Sequence, residues 1–302
     1  MEEERRRPRP RTSGNLTPLL ISKPKYREVE SECEDCGAKF PDKIYQRPDG
    51  SEIQPYRLCP VCRKKAQDAE ELAAMEEELE ERGPAVRARW PRQYGVEGKF
   101  TEKTFDNFEA GLQIKAYEAM ANWNGRSYVL LSPPVNDKEV YGVGKTHLAC
   151  ALANKLISET PPAYIDTTAH VVRTRPCPVY FVKEAHLLSQ LRATYNNNNG
   201  KADDGTPDTD ERILARLGNY ELLIIDDVGK VRPRDYNFLQ TVYFRIIDDR
   251  YAAERPVLLT TNLSLSELER HIGGASADRL VEMVGKSGFI TMRGVSYRKN
   301  TE

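Results

Sequence analysis

The sequence lacks any run of about twenty apolar residues, so no membrane-spanning helix is expected. Its opening, Met1-Glu2-Glu3-Glu4 followed by Arg5-Arg6-Arg7, has no apolar core of the kind an export signal carries, and the expected setting is the reducing cytoplasm. Net charge is nearly absent. The 45 basic and 46 acidic residues sum to −1, which excludes bulk basic character as a means of holding nucleic acid. Any such contact must come from a local patch. Cysteines are few, six in 302 residues, yet four of them stand in two close pairs. In a reducing compartment that pattern points to a metal and away from disulfides. Cys150 and Cys177 stand apart, and Cys150 reads as a small buried residue. The length allows one large domain and one small one.

Residues 1–29 are rich in Arg, Pro and Glu, and their one apolar cluster is Leu19-Leu20-Ile21, a composition that favours a disordered tail. A basic arm touching phosphate is the alternative. Across 30–65, Cys33-Glu34-Asp35-Cys36 and Cys59-Pro60-Val61-Cys62 bracket a 22-residue stretch. Two such turns aim four thiolates at one ion and leave no open coordination position, so the site is structural. Zinc held by Cys33, Cys36, Cys59 and Cys62 is the reading; the knuckle-like turns keep iron as an alternative. A module this short needs the metal to supplement its core. Residues 66–100 read as an acidic helix and linker. Leu72, Met75 and Leu79 fall at helical spacing from Arg63 to Arg82, Gly83-Pro84 is the expected stop, and Ala85 to Gly98 the linker.

From 101 to 302, short apolar strands alternate with helices, which implies a three-layer α/β domain around a parallel sheet. The strand Tyr128 to Ser132 is followed by Gly142-Val143-Gly144-Lys145-Thr146-His147, opening a helix to Glu159. A Gly-rich turn at a helix N-terminus presents N–H groups to phosphate; Lys145 would reach the β/γ-phosphates and Thr146 would ligate Mg²⁺. The strand Leu222 to Asp226 ends in two carboxylates, suited to a metal-bound water (Asp226) and a nucleophile-orienting base (Asp227). A further strand ends in Thr260-Thr261-Asn262. In this order the three motifs imply binding and hydrolysis of ATP. The spacing departs from Gly-x-x-x-x-Gly-Lys-Thr, because Glu139 stands where glycine belongs and Val135 to Tyr141 resembles an insertion of about seven residues.

From Thr104-Phe105-Asp106-Asn107-Phe108 to the C-terminus, the chain resembles the AAA+ domain of bacterial replicative helicase loaders (the DnaC and DnaI type) and of the IstB transposition ATPases. The motifs above carry that resemblance, joined by Asp278-Arg279-Leu280 and Gly294-Val295-Ser296-Tyr297-Arg298. It implies an AAA+ P-loop NTPase domain preceded by a small zinc-ribbon-like module, with ATP and Mg²⁺ as ligands. Asn262 would orient the attacking water, Arg279 would serve a neighbouring subunit's γ-phosphate, and Arg298 would contact the phosphates of its own subunit. Arg192 and Tyr195 sit where loaders carry a helix lining a single-stranded DNA channel; a plain helix end with one buried tyrosine is the other reading. The implied partners are a hexameric replicative helicase, single-stranded DNA and further copies of this chain. Two alternatives remain: an IstB-like transposition helper on duplex DNA, and a zinc-ribbon adaptor with an inactive ATPase domain. Asp227, one methylene shorter than the usual glutamate, predicts slow hydrolysis, which suits a timing switch. The stretch Thr160 to Cys177 is longer than loaders usually have.

Overall fold

The computed structural model describes residues 25–53, 56–93, 98–135, 141–195, 209–230, 232–233, 235–294 and 296–297. The chain divides into two compact units, Met1–Ala74 and Met75–Glu302. Most of the expected tail, through residue 24, lies outside the described residues, as do residues 136–140 of the P-loop insertion and 196–208 of the polar loop.

In the first unit, β1 (Tyr26–Glu32), β2 (Lys39–Gln46) and β3 (Glu52–Ile53) form an antiparallel sheet in that order. Its small core consists of Cys33, Phe40, Cys59 and Cys62, with Leu58 packed against them. The first cysteine pair lies in the turn joining β1 to β2, and the second lies at the start of the helix α1 (Pro60–Gln93).

That helix departs from expectation. It passes through Gly83-Pro84 and absorbs the supposed linker as far as residue 93. The reason lies in packing. Trp90 is 2% exposed within the core of the second unit, and Arg87 donates to the carbonyls of Ile157 at 3.2 Å, Thr160 at 3.1 Å and Ser158. Burying an indole of about 200 Å² at about 25 cal/mol/Å² contributes about 5 kcal/mol, more than the ~3 kcal/mol lost to a mid-helix proline.

The second unit adds α2 (Ile114–Ala121), β4 (Tyr128–Leu131), α3 (Lys145–Glu159), β5 (Ala163–Asp166), β6 (Val171–Thr174) and β7 (Val179–Lys183). There follow α4 (Glu184–Tyr195), α5 (Asp210–Asn219), β8 (Leu222–Val228), α6 (Tyr236–Ala252), β9 (Val257–Thr261), α7 (Leu265–Ile272), α8 (Gly274–Gly288) and β10 (Phe289–Thr291). Five strands pair in parallel in the order β10-β4-β9-β8-β7. Because side chains alternate along a strand, Val129, Leu131, Leu223, Ile225 and Leu259 pack with apolar residues of α4 to α8. Leu130, Leu222, Ile224 and Leu258 pack with Trp90, Met120 and Leu148 on the other side. A sheet covered on both faces explains why these strands are continuous apolar runs. This is the three-layer α/β architecture the sequence implies. The long stretch Thr160 to Cys177 forms a hairpin, β5 pairing antiparallel with β6. No helix among the described residues is long and apolar enough to cross a membrane.

Candidate functional site

The P-loop joins β4 to α3. Gly142 (φ 72°) and Gly144 (φ 95°) take the left-handed backbone that a turn folding back onto a helix N-terminus requires. At Gly144 a Cβ would sit 2.5 Å from the Phe108 ring, so glycine is needed on both counts. The first turn of α3 leaves N–H groups without intrahelical partners, aimed where a phosphate would sit. Val143 is buried at 1% exposure and fastens the loop to the core. The His147 ring lies 2.9 Å from the Thr104 carbonyl and 5.1 Å from the Phe108 ring; burial lowers its pKa. Its side chain thus holds the Thr104–Phe108 segment against the P-loop, while its backbone lies in the phosphate-facing turn.

The ends of β4, β8 and β9 bring the other residues together. Lys145 Nζ donates to Asn262 Oδ1 at 2.6 Å and to Ser132 Oγ, and Ser132 Oγ also bonds Asn262 Oδ1 at 3.0 Å. The Thr146 hydroxyl donates to Asp226 at 2.9 Å, with the second carboxylate oxygen at 3.1 Å. Thr260 Oγ1 donates to Asp226 at 2.6 Å and accepts from the Asp227 N–H at 3.0 Å, so one hydroxyl spaces the two acids. Burial raises the pKa of Asp226, the Thr260 hydrogen bond opposes this, and the neighbouring Asp227 charge adds to the rise. A cation beside it would relieve that burial. A hydroxyl and a carboxylate side by side are hard oxygen donors of the kind magnesium takes, so Thr146 and Asp226 fit that ion. Asp227 itself sits at φ 59° and pairs with Lys230 Nζ at 2.7 Å.

Ser132, Thr260 and Glu184, which is discussed below, carry contacts here that spacing alone did not single out. Ser132 follows β4 and Thr260 lies near the end of β9; the sequence marked both as parts of strand ends and gave neither a role. Arg279 and Arg192 take their contacts elsewhere. Arg279 Nε lies 2.8 Å from Asp248 and its guanidinium 4.9 Å from the Phe244 ring, both on α6. The Arg192 guanidinium lies 5.3 Å from the Phe238 ring. Tyr195 is the last residue of α4, and Arg298 lies outside the described residues.

In the first unit the sulfurs of Cys33, Cys36, Cys59 and Cys62 lie within 4.8 Å of one another. The Cys36 and Cys59 sulfurs are 3.8 Å apart. Four sulfurs around zinc at about 2.3 Å stand about 3.8 Å apart, so the cluster fits a tetrahedral ion. Backbone N–H groups of Cys59 and Cys36 lower the Cys33 pKa to about 6, towards the thiolate that metal binding needs, while side-chain hydrogen bonds with Asp35, Cys36 and Cys59 raise that of Cys62. Cys177 contrasts: burial pushes its thiol up to about 12, and Cys150 is raised by burial as well, as expected of inert core residues.

Among known proteins, the replicative helicase loader DnaC of Buchnera aphidicola (subspecies Baizongia pistaciae) is 29% identical over 213 residues, 68% of this chain and 73% of the relative. The Escherichia coli K12 DnaC loader is 27% identical over 157 residues, 52% of this chain, which spans only 53% of that relative's length. A crystal structure of the DnaC helicase loader aligns over 65% of this chain and 100% of its own, at 18% identity and a TM-score of 0.45. Residues 127–302, from β4 through the P-loop to the C-terminus, match the family of IstB-like ATP binding proteins. With its P-loop, paired acids and five-stranded parallel sheet in an AAA+ fold, the chain belongs to that family.

Proposed function

We propose that this chain is an ATPase that loads a hexameric replicative helicase onto single-stranded DNA, with hydrolysis at subunit interfaces acting as a switch. The observation that carries the reading is the gathering of Lys145, Thr146, Asp226 and Asn262 at one P-loop. ATP and Mg²⁺ would bind there, Asp227 and Asn262 would orient the attacking water, and Arg298 would meet the phosphates of its own subunit. Arg279 would leave Asp248 to serve a neighbour's γ-phosphate, since a dispersed transition-state charge calls for a cation placed over it. The four-cysteine module, residues 30–65, would bind zinc and dock the helicase without ATP, and residues 101–302 would hydrolyse ATP. Arg192 and Tyr195 would line a groove for single strands. Loaders among the relatives support the reading by their names and by the share of chain they cover.

The match to the IstB-like family favours a second reading, an ATPase that helps a transposase on duplex DNA. One comparison separates them: ATP turnover measured with single-stranded and with duplex DNA, alongside co-purification with a hexameric helicase. Stimulation by single strands and a stable helicase complex support the loader. Stimulation by duplex alone, without helicase binding, overturns it in favour of the transposition helper. An intact fold without any turnover leaves the zinc-ribbon adaptor.

A further inference from the structure

Glu184 opens α4 directly after β7 and is 1% exposed. A buried carboxylate is costly unless its oxygens accept hydrogen bonds. Three donors from three separate segments converge on it. The Tyr243 hydroxyl of α6 donates to Oε1 at 2.6 Å, and His271 Nε2 of α7 lies 2.8 Å from the same oxygen. The Gly229 N–H donates to Oε2 at 2.8 Å. Tyr243 and His271 are themselves buried, at 2% and 6% exposure.

Gly229 lies within the turn that the Lys230 N–H closes on the Asp227 carbonyl at 3.2 Å. That turn is unusual in two ways. The pairing of β8 with β9 shifts register between Ile225 and Val228, and Asp227 takes a left-handed backbone, at φ 59°. A non-glycine residue there is held by its surroundings. The clamps are identifiable: Thr260 Oγ1 receives the Asp227 N–H at one end, and Glu184 receives the Gly229 N–H at the other. At Gly229 (φ 79°) a Cβ would stand 2.3 Å from Leu263, so only glycine fits where the turn meets that side chain. Meanwhile α7, which carries His271, is capped by Ser264, two residues after Asn262. The Glu184 carboxylate therefore ties the turn holding Asp227 to the helix that follows Asn262.

We propose that Glu184 is a positioning residue for hydrolysis, touching no nucleotide but fixing the left-handed turn that aims the Asp227 carboxylate at the attacking water. The proposal rests on the ATPase reading above, in which Asp227 orients that water. Displacing a reacting group by about 1 Å costs about a hundredfold in rate, so loss of one clamp should appear in kcat and not in binding.

The test uses the full chain and compares Glu184→Ala, Glu184→Gln and Tyr243→Phe with the parent. The readouts are ATP affinity, kcat, KM and the thermal unfolding midpoint. Glutamine retains an oxygen for the Gly229 N–H; alanine does not. Glu184→Ala should lower kcat about tenfold or more with KM and ATP affinity unchanged, and Glu184→Gln should recover most of that loss. Tyr243→Phe keeps the ring and deletes one donor to the carboxylate, so it should stay folded and show a smaller fall in kcat at constant KM. Normal kcat in folded Glu184→Ala overturns the proposal. So does an equal fall in kcat for alanine and glutamine, or loss of ATP affinity in step with kcat in Tyr243→Phe, each of which marks a scaffold. If Glu184→Ala does not fold, an unchanged kcat in folded Tyr243→Phe overturns the proposal. A parent that binds ATP and never turns it over defeats the ATPase reading itself, and this proposal with it.

Discussion

Lys145 Nζ donates to Asn262 Oδ1 across 2.6 Å, joining the P-loop helix to the end of β9. The residue expected to meet phosphate and the residue expected to orient water thus share one polar contact. Lys145→Ala should abolish ATP binding, because the β/γ-phosphates lose their charge partner. Equilibrium binding of a fluorescent ATP analogue checks this, and unaltered affinity would reassign the P-loop.

Asp227→Asn should leave ATP affinity unchanged and stop hydrolysis, since an amide cannot take the proton of the attacking water. Asp227→Glu should not speed the reaction, although glutamate reaches further. At φ 59° Asp and Asn are among the tolerated side chains, and a longer one adds strain. Single-turnover hydrolysis after measured ATP loading distinguishes the two effects, and faster turnover in the glutamate variant would remove the backbone argument.

Elemental analysis should find one zinc for each chain, and its removal by a chelator should unfold the first unit, whose small core is built on the four cysteines. Far-ultraviolet circular dichroism with and without chelator reads this. A red, iron-containing preparation would put iron in zinc's place, and no stoichiometric metal at all would end the claim.

Arg279→Ala should bind ATP normally and lose turnover, because its guanidinium would act on the neighbouring subunit's nucleotide. Mixed with Lys145→Ala chains, it should regain part of the activity at interfaces that pair one intact half from each. Co-assembled mixtures with no recovery would assign Arg279 to its own chain, where it meets Asp248.

Arg250 is fully buried and donates to the carbonyls of Leu217 at 2.6 Å, Tyr220 at 3.0 Å, Glu221 at 3.3 Å and Pro256 at 2.7 Å, pinning the end of α5 to the start of β9. Each buried polar group left unmet costs about 1–3 kcal/mol. Arg250→Met should therefore lower stability by about 4 kcal/mol or more, read from urea unfolding, while Arg250→Lys, which lacks the planar fork, should fall between. A methionine variant as stable as the parent would show these carbonyls to be satisfied otherwise.

What the sequence made legible was local. Gly142 to Thr146 and Asp226 each depend on neighbours a few positions away, so spacing announced them, and α3 ends at Glu159 as expected. Glu184 was silent because its meaning depends on Gly229, Tyr243 and His271, 45 to 87 residues along the chain. The helix end was misread for the same reason. Gly83-Pro84 is a sound local stop, overruled by contacts that Arg87 makes 70 to 73 residues away. Arg279 was singled out by pattern alone; within this chain it meets Asp248 and Phe244 of α6 and the Ala275 carbonyl of its own helix.

The burial of Trp90 has a practical corollary for anyone dividing the molecule. A fragment begun at residue 101, where the motifs start, omits the indole and leaves its pocket beside Met120, Leu148 and Phe181 to water or collapse. Truncations of that size in a core commonly remove about 3–5 kcal/mol, a large share of a domain's whole stability. The scissors belong upstream, near residue 75, where the second unit begins.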